Sequence, residues 1–129
     1  MRRILGCILI FSLLTADLSC RRGQSGNNPS TGISSEEPFD RHGQLVLTRH
    51  ARCRMDCRHI TVREIREILD SGIINYSKSE PEAHPDPKYA LEGFTAEQQH
   101  LRIIVAPEAN KLIIITCIEL GVEWTCHCN

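Results

Sequence analysis

The chain has 129 residues, 41% hydrophobic and 24% charged, which is ordinary globular usage and excludes a wholly disordered polymer; its length suits a single domain. Aromatic residues make up only 5%, so the core has to be built from Ile, Leu and Val. Fifteen Lys and Arg against sixteen Asp and Glu give a formal net charge of -1, which lacks the basic excess of a dedicated nucleic-acid binder.

In chain order, the first element is a targeting segment. Arg2 and Arg3 precede an apolar run over residues 4–14, which Thr15, Asp17 and Arg21-Arg22 end well short of the ~20 residues that a spanning helix needs. Residues 1–19 are therefore expected to be a signal peptide. Leu18-Ser19-Cys20 resembles the cleavage box of bacterial lipoproteins, in which the cysteine is lipidated and becomes the new N-terminus, although Asp17 stands where an aliphatic residue is preferred. Residues 20–43 are rich in Gly, Ser, Asn and Pro and read as a flexible tether behind that anchor. The expected setting is export to a bacterial cell envelope, at the periplasm or cell surface, with the membrane as a partner through lipidated Cys20.

The remaining residues, 44–129, read as one small α+β domain. Leu45-Val46-Leu47 is a short apolar entry, and residues 48–58 read as a helix with Thr48 at its N-cap. Thr61 and Glu64 form a capping box for the next helix, Ile60 and Ile65 are spaced as a hydrophobic staple, and Val62, Ile65, Ile68 and Leu69 form its apolar face before Gly72 ends it. Strands are expected at 73–78, 88–94, 99–106 and 111–120, with a Pro-containing loop at 79–87, short polar turns at 95–98 and 107–110, and a last strand or extended tail at 124–128. The expected architecture is two helices packed on a three- to four-stranded antiparallel sheet.

Seven cysteines punctuate the chain. Cys7 leaves with the signal and Cys20 is assigned to lipid. Cys53 and Cys57 fall on one face of a helix, and Cys126 and Cys128 fall on one side of an extended tail, with His127 turned away. Two such pairs can converge as two disulfides, as a closed tetrahedral zinc site, or remain unconnected thiols. In the first two cases they are structural and compensate for a small core. Cys117, in the most apolar strand, reads as a buried free thiol.

The motif His50-Ala51-x-x-Arg54-Met55 with Arg58-x-Ile60-Thr61, the helix that follows, Tyr89-Ala-Leu-Glu-Gly93 and the closing strands together resemble domain-of-unknown-function family 4258 over residues 45 to 120. The resemblance implies an element order similar to RelE-like toxins, within the barnase/EndoU/colicin/RelE-like ribonuclease fold. Ribonuclease chemistry would need a base, an acid and cations for phosphate. His50, His59, Arg52, Arg54 and Arg58 could serve from the first helix, and His100 with Arg102 from a strand, with Tyr89 nearby. Of these, His50, Arg54, Arg58, His100 and Arg102 are the catalytic candidates. Each also has a plainer role as a cap, a solvated helix face or the polar side of a strand. The features together favour a non-catalytic binding or structural module for an unknown protein or small ligand, with zinc at the four cysteines as the one cofactor under consideration. The alternative is a metal-independent RelE-like ribonuclease or a degenerate descendant, the only case in which nucleic acid is a partner.

Overall fold

The computed structural model of the chain describes residues 36–128. The signal segment, Cys20 and most of the tether lie outside the described residues. The elements run β1 (Gln44–Leu47), α1 (Arg49–Arg58), α2 (Val62–Ser71), β2 (Ile73–Ile74), a 3-10 turn (Tyr76–Lys78), β3 (Tyr89–Phe94), β4 (His100–Glu108) and β5 (Lys111–Glu119). No helix among the described residues is long and apolar enough to cross a membrane.

Both helices form where side chains supply what the backbone ends lack. Thr48 Oγ1 accepts from the Ala51 N–H at 3.0 Å and opens α1. Thr61 and Glu64 make the expected capping box, with Glu64 Oε2 accepting from the Thr61 N–H at 2.7 Å. The two helices end differently. Past α1, His59 takes a left-handed conformation (φ 56°), the Ile60 N–H reaches back to the Met55 carbonyl at 2.9 Å, and Ile60 and Met55 are both buried. This is a helix stop usually made by glycine. Gly72 ends α2 in extended backbone (φ −68°, ψ 153°). A Cβ there would lie 2.4 Å from the Ile68 carbonyl oxygen, so glycine is required by space and not by a left-handed turn. Arg41 then donates to the Leu69 and Gly72 carbonyls, at 3.1 and 2.7 Å, closing the end of α2.

The sheet has five strands in the order β1-β5-β4-β3-β2. It is mixed, because β1 pairs parallel to β5 while the other pairs are antiparallel. The expectation of three or four antiparallel strands is thus corrected at both edges. Leu45-Val46-Leu47 is a strand, tied to β5 by a long-range pairing. The strand expected at 73–78 stops after two residues, because Ser77 Oγ donates to Asn75 Oδ1 and Ser79 Oγ to the Asn75 carbonyl, turning the chain. Residues 122–128 form no strand and follow the extended-tail alternative.

Both helices lie on one face of the sheet. Ala51 and Met55 of α1 and Ile65, Ile68 and Leu69 of α2 join Leu91, Leu101, Ile103, Val105, Leu112, Ile114 and Cys117 in one cluster. Burying each large aliphatic side chain stabilises the fold by about 1.5–3 kcal/mol. Residues 36–43, upstream of the expected start of the domain at residue 44, also pack: Phe39 lies on Tyr89 with ring centroids 5.0 Å apart. Strand alternation sends the intervening residues to the other face, where Val46, Ile73 and Phe94 are exposed.

Candidate functional site

Three groups of side chains carry chemistry, two of them built on α1 and the third on the face of the sheet away from the helices. The first joins α1 to the tail. Cys53 is bonded to Cys128 and Cys57 to Cys126, with Cα atoms 5.8 and 5.9 Å apart. Four helical residues rise about 6 Å and two extended residues about 6.6 Å, so the two pairs match rung for rung in antiparallel order. The four sulfurs are consumed by these bonds, which overturns the zinc alternative at Cys53, Cys57, Cys126 and Cys128. Among the described residues no cluster of three or more His, Cys, Asp or Glu side chains is placed to hold a metal. Trp124 adds a non-covalent rung, donating from Nε1 to Glu119 Oε2 at 2.8 Å with its ring edge-on to His59.

The second group is the polar stripe of α1. His50, Arg54 and Arg58 recur at four-residue spacing on one face. Arg54 Nε donates to His50 Nε2 at 3.3 Å, which occupies the nitrogen that a general base would use. Arg58 turns inward and donates from Nη1 to the Cys117 carbonyl at 2.8 Å. β1 covers only the first half of β5, pairing with Lys111–Ile114, so Thr48 Oγ1 at the Ile115 carbonyl and Arg58 at the Cys117 carbonyl satisfy the edge beyond it. Burial, then the charge of Arg54, draws down the proton affinity of Arg58, while Cys117 and Glu119 act the other way. Cys117 is a buried free thiol, pushed up by burial to about 11. Arg52 is exposed, and His59 serves as the left-handed stop.

The third group lies on the opposite face of the sheet. Leu101 and Ile103 point into the helix-covered core, so His100 and Arg102, one residue out of phase, point away from it. The five catalytic candidates therefore do not converge: His50, Arg54 and Arg58 stand on the helix side, His100 and Arg102 on the bare side. Tyr89 does not join either set, being 8% exposed in the core beside Phe39.

What His100 and Arg102 meet instead are residues the sequence reading did not single out. The register of β3 with β4 sets Glu92 opposite Arg102 and Phe94 opposite His100. Arg102 Nε donates to Glu92 Oε1 at 2.5 Å, and Asn75 Nδ2 donates to the same oxygen at 2.9 Å. Partial burial pushes the Glu92 carboxyl up, but the hydrogen bonds from Arg102 and Asn75 and the charges of Arg102 and His100 outweigh it and hold it below the usual carboxylate range. The Phe94 and His100 rings stack at 4.3 Å with planes 12° apart. Together with Ile73 and Tyr76 they line an open cleft of about 500 Å³ between β2, β3 and β4. The parity of the strand pattern was the available signal: a register that keeps Leu91, Leu101 and Ile103 on one face must also keep Glu92, Phe94, His100 and Arg102 on the other.

Residues 47–119 match the family model described as Domain of unknown function (DUF4258), within the stretch where the resemblance was read. No curated protein and no solved structure matches the chain, and the likeness to RelE-like toxins expected from element order is not shown.

Proposed function

Given that the chain belongs to the family described as Domain of unknown function (DUF4258), we propose that it is a non-catalytic binding module, stapled by disulfides for service outside the cytosol and held at a membrane surface through lipidated Cys20. The observation that carries this reading is the pair of bridges from α1 to the tail. Oxidising compartments preserve such bonds and the cytosol removes them, which agrees with the signal-like residues 1–19. A clamp of this kind serves a small scaffold whose surface has to hold its shape. The surface with a binding function is the bare side of the sheet, where the cleft lies. The His and Arg inventory gives ribonuclease chemistry little support: the sheet divides it, Arg58 is committed to a backbone carbonyl and His50 Nε2 to Arg54.

The test expresses the full chain in a bacterium and follows it by fractionation and by non-reducing mass measurement. The expected outcome is a membrane-associated protein four hydrogens lighter than its all-thiol form, released from membranes by Cys20→Ala. A protein retained in the cytosol with four titratable thiols at Cys53, Cys57, Cys126 and Cys128 would overturn the export reading. Incubation of the oxidised protein with single-stranded RNA should leave the RNA intact. Cleavage that disappears in His50→Ala would make the chain an enzyme.

A further inference from the structure

We propose that the cleft between β2, β3 and β4 recognises a neutral, hydroxyl-bearing ring, a sugar unit of a glycan, stacked on Phe94 with its hydroxyls on Glu92. The inference rests on the binding-module reading and names the ligand class for that module.

The cleft, about 500 Å³, lies in the range of about 300–1,000 Å³ typical of small-ligand sites. Its wall is an aromatic shelf. Phe94 is 62% exposed, and one of its two faces is spent on His100. The stack holds the ring flat and leaves the other face to solvent. An exposed, immobilised phenyl face suits the C–H side of a pyranose, which buries apolar area against it without losing hydroxyl hydration at its rim. Ile73, 77% exposed, and Tyr76, 60% exposed, flank the shelf and extend the apolar contact.

The floor selects by charge. Glu92 lines the cleft and its charge is offset by the ion pair with Arg102, which lies outside the lining, so a charged ligand of either sign gains little. Glu92 Oε1 is saturated by Arg102 and Asn75, whereas Oε2 accepts no hydrogen bond from the described residues. A carboxylate held ionised with one free oxygen is a strong acceptor for a hydroxyl, and charge-assisted bonds of this kind are roughly twice as strong as neutral ones. The site thus offers a hydroxyl acceptor beside a flat apolar surface, with no net charge.

An extended peptide is disfavoured by the edge it would have to join. β2 offers two residues, Ile73 and Ile74, before the turn locked by Ser77 and Ser79 leaves the strand direction. Strand addition draws its affinity from a run of main-chain hydrogen bonds, and this edge is too short to provide one.

The test is backbone amide NMR of the oxidised full chain, titrated at millimolar concentrations with glucose, galactose, N-acetylglucosamine and their disaccharides. At least one sugar is expected to shift the amides of Ile73, Tyr76, Phe94 and His100 while leaving α1 unmoved. Phe94→Ala should weaken that binding by about tenfold or more, Glu92→Gln by about fivefold, and Phe94→Trp should restore it. Thermal unfolding of the Phe94 variants should match the parent, because the ring is exposed. The assignment fails if no sugar moves these amides, or if Phe94→Ala binds as well as the parent. Shifts at the same amides from a neutral apolar tetrapeptide, but from no sugar, would also overturn it and leave the binding-module reading standing. RNA cleavage would instead remove that reading.

Discussion

The two ends of the sheet are held by different means. On the β5 side, α1 and the tail are joined by two covalent bridges and the Trp124–Glu119 hydrogen bond, and the exposed edge of β5 is closed by Thr48 and Arg58. On the β2 side, a two-residue strand, a turn built from serine hydroxyls and the Glu92–Arg102–Asn75 cluster leave Ile73, Tyr76 and Phe94 open to solvent. The difference teaches how a small domain can keep a large apolar surface uncovered. Covalent closure at one end supplies stability that a thin core lacks, so the other end is free to remain an open cleft.

The largest effect should come from the clamp. The bridges are nested, with Cys57–Cys126 inside Cys53–Cys128, and span 69 and 75 residues. With one intact, the other closes a ring of only a few residues. Chain-entropy arithmetic then gives a loss of about 2 kcal/mol for one bridge and about 5–7 kcal/mol for both. Urea unfolding of Cys53→Ala, Cys57→Ala and the double variant measures this, and a single replacement as costly as the double would refute the nested arrangement. Next, Ile68→Ala, which empties fully buried space between α2 and β3, should cost about 3 kcal/mol, marking packing as the chief support of the cleft end. Thr61→Ala should cost about 1 kcal/mol through the lost cap, read from the same unfolding curves.

The smallest effect is the acid response of the cleft. Because the folded state holds the Glu92 carboxyl below its ordinary value, its contribution is present above the unfolded carboxylate value of about 4.3 and is lost as pH falls through the lower folded value. Glu92→Gln should therefore lower stability modestly at neutral pH and converge on the parent as pH falls through the folded value, which flattens the acid limb. Thermal melts across an acid series would check the sign.

The legibility of the sequence followed the range of the interactions. Thr48, Thr61 and Glu64 act on backbone within three residues, so both helix starts were readable. The facing cysteine pairs were readable as pairs, but four thiols at those spacings suit either bonds or zinc, and only their meeting distances distinguish the two. β1 was missed as a strand because three apolar residues carry no alternation and its partner is β5, far along the chain. Arg58 looked like part of a solvated helix face, since nothing local announces that it turns inward to the Cys117 carbonyl. Glu92 and Phe94 lay unnoticed because their partners, Arg102 and His100, are assigned by register, a property of two strands taken together.

The helical setting of Cys53 and Cys57 has a consequence for how the thiols find their mates during oxidation. These two cysteines are made long before Cys126 and Cys128 and must wait for them. Positions four apart on a helix hold their Cβ atoms about 5–6 Å from each other, while a disulfide needs about 3.5–4.5 Å. An early-formed α1 therefore keeps its own pair from mispairing, and Cys117 is sheltered inside the core with its thiol protonated. Secondary structure here acts as a proofreader, leaving the late-arriving tail as the partner within reach.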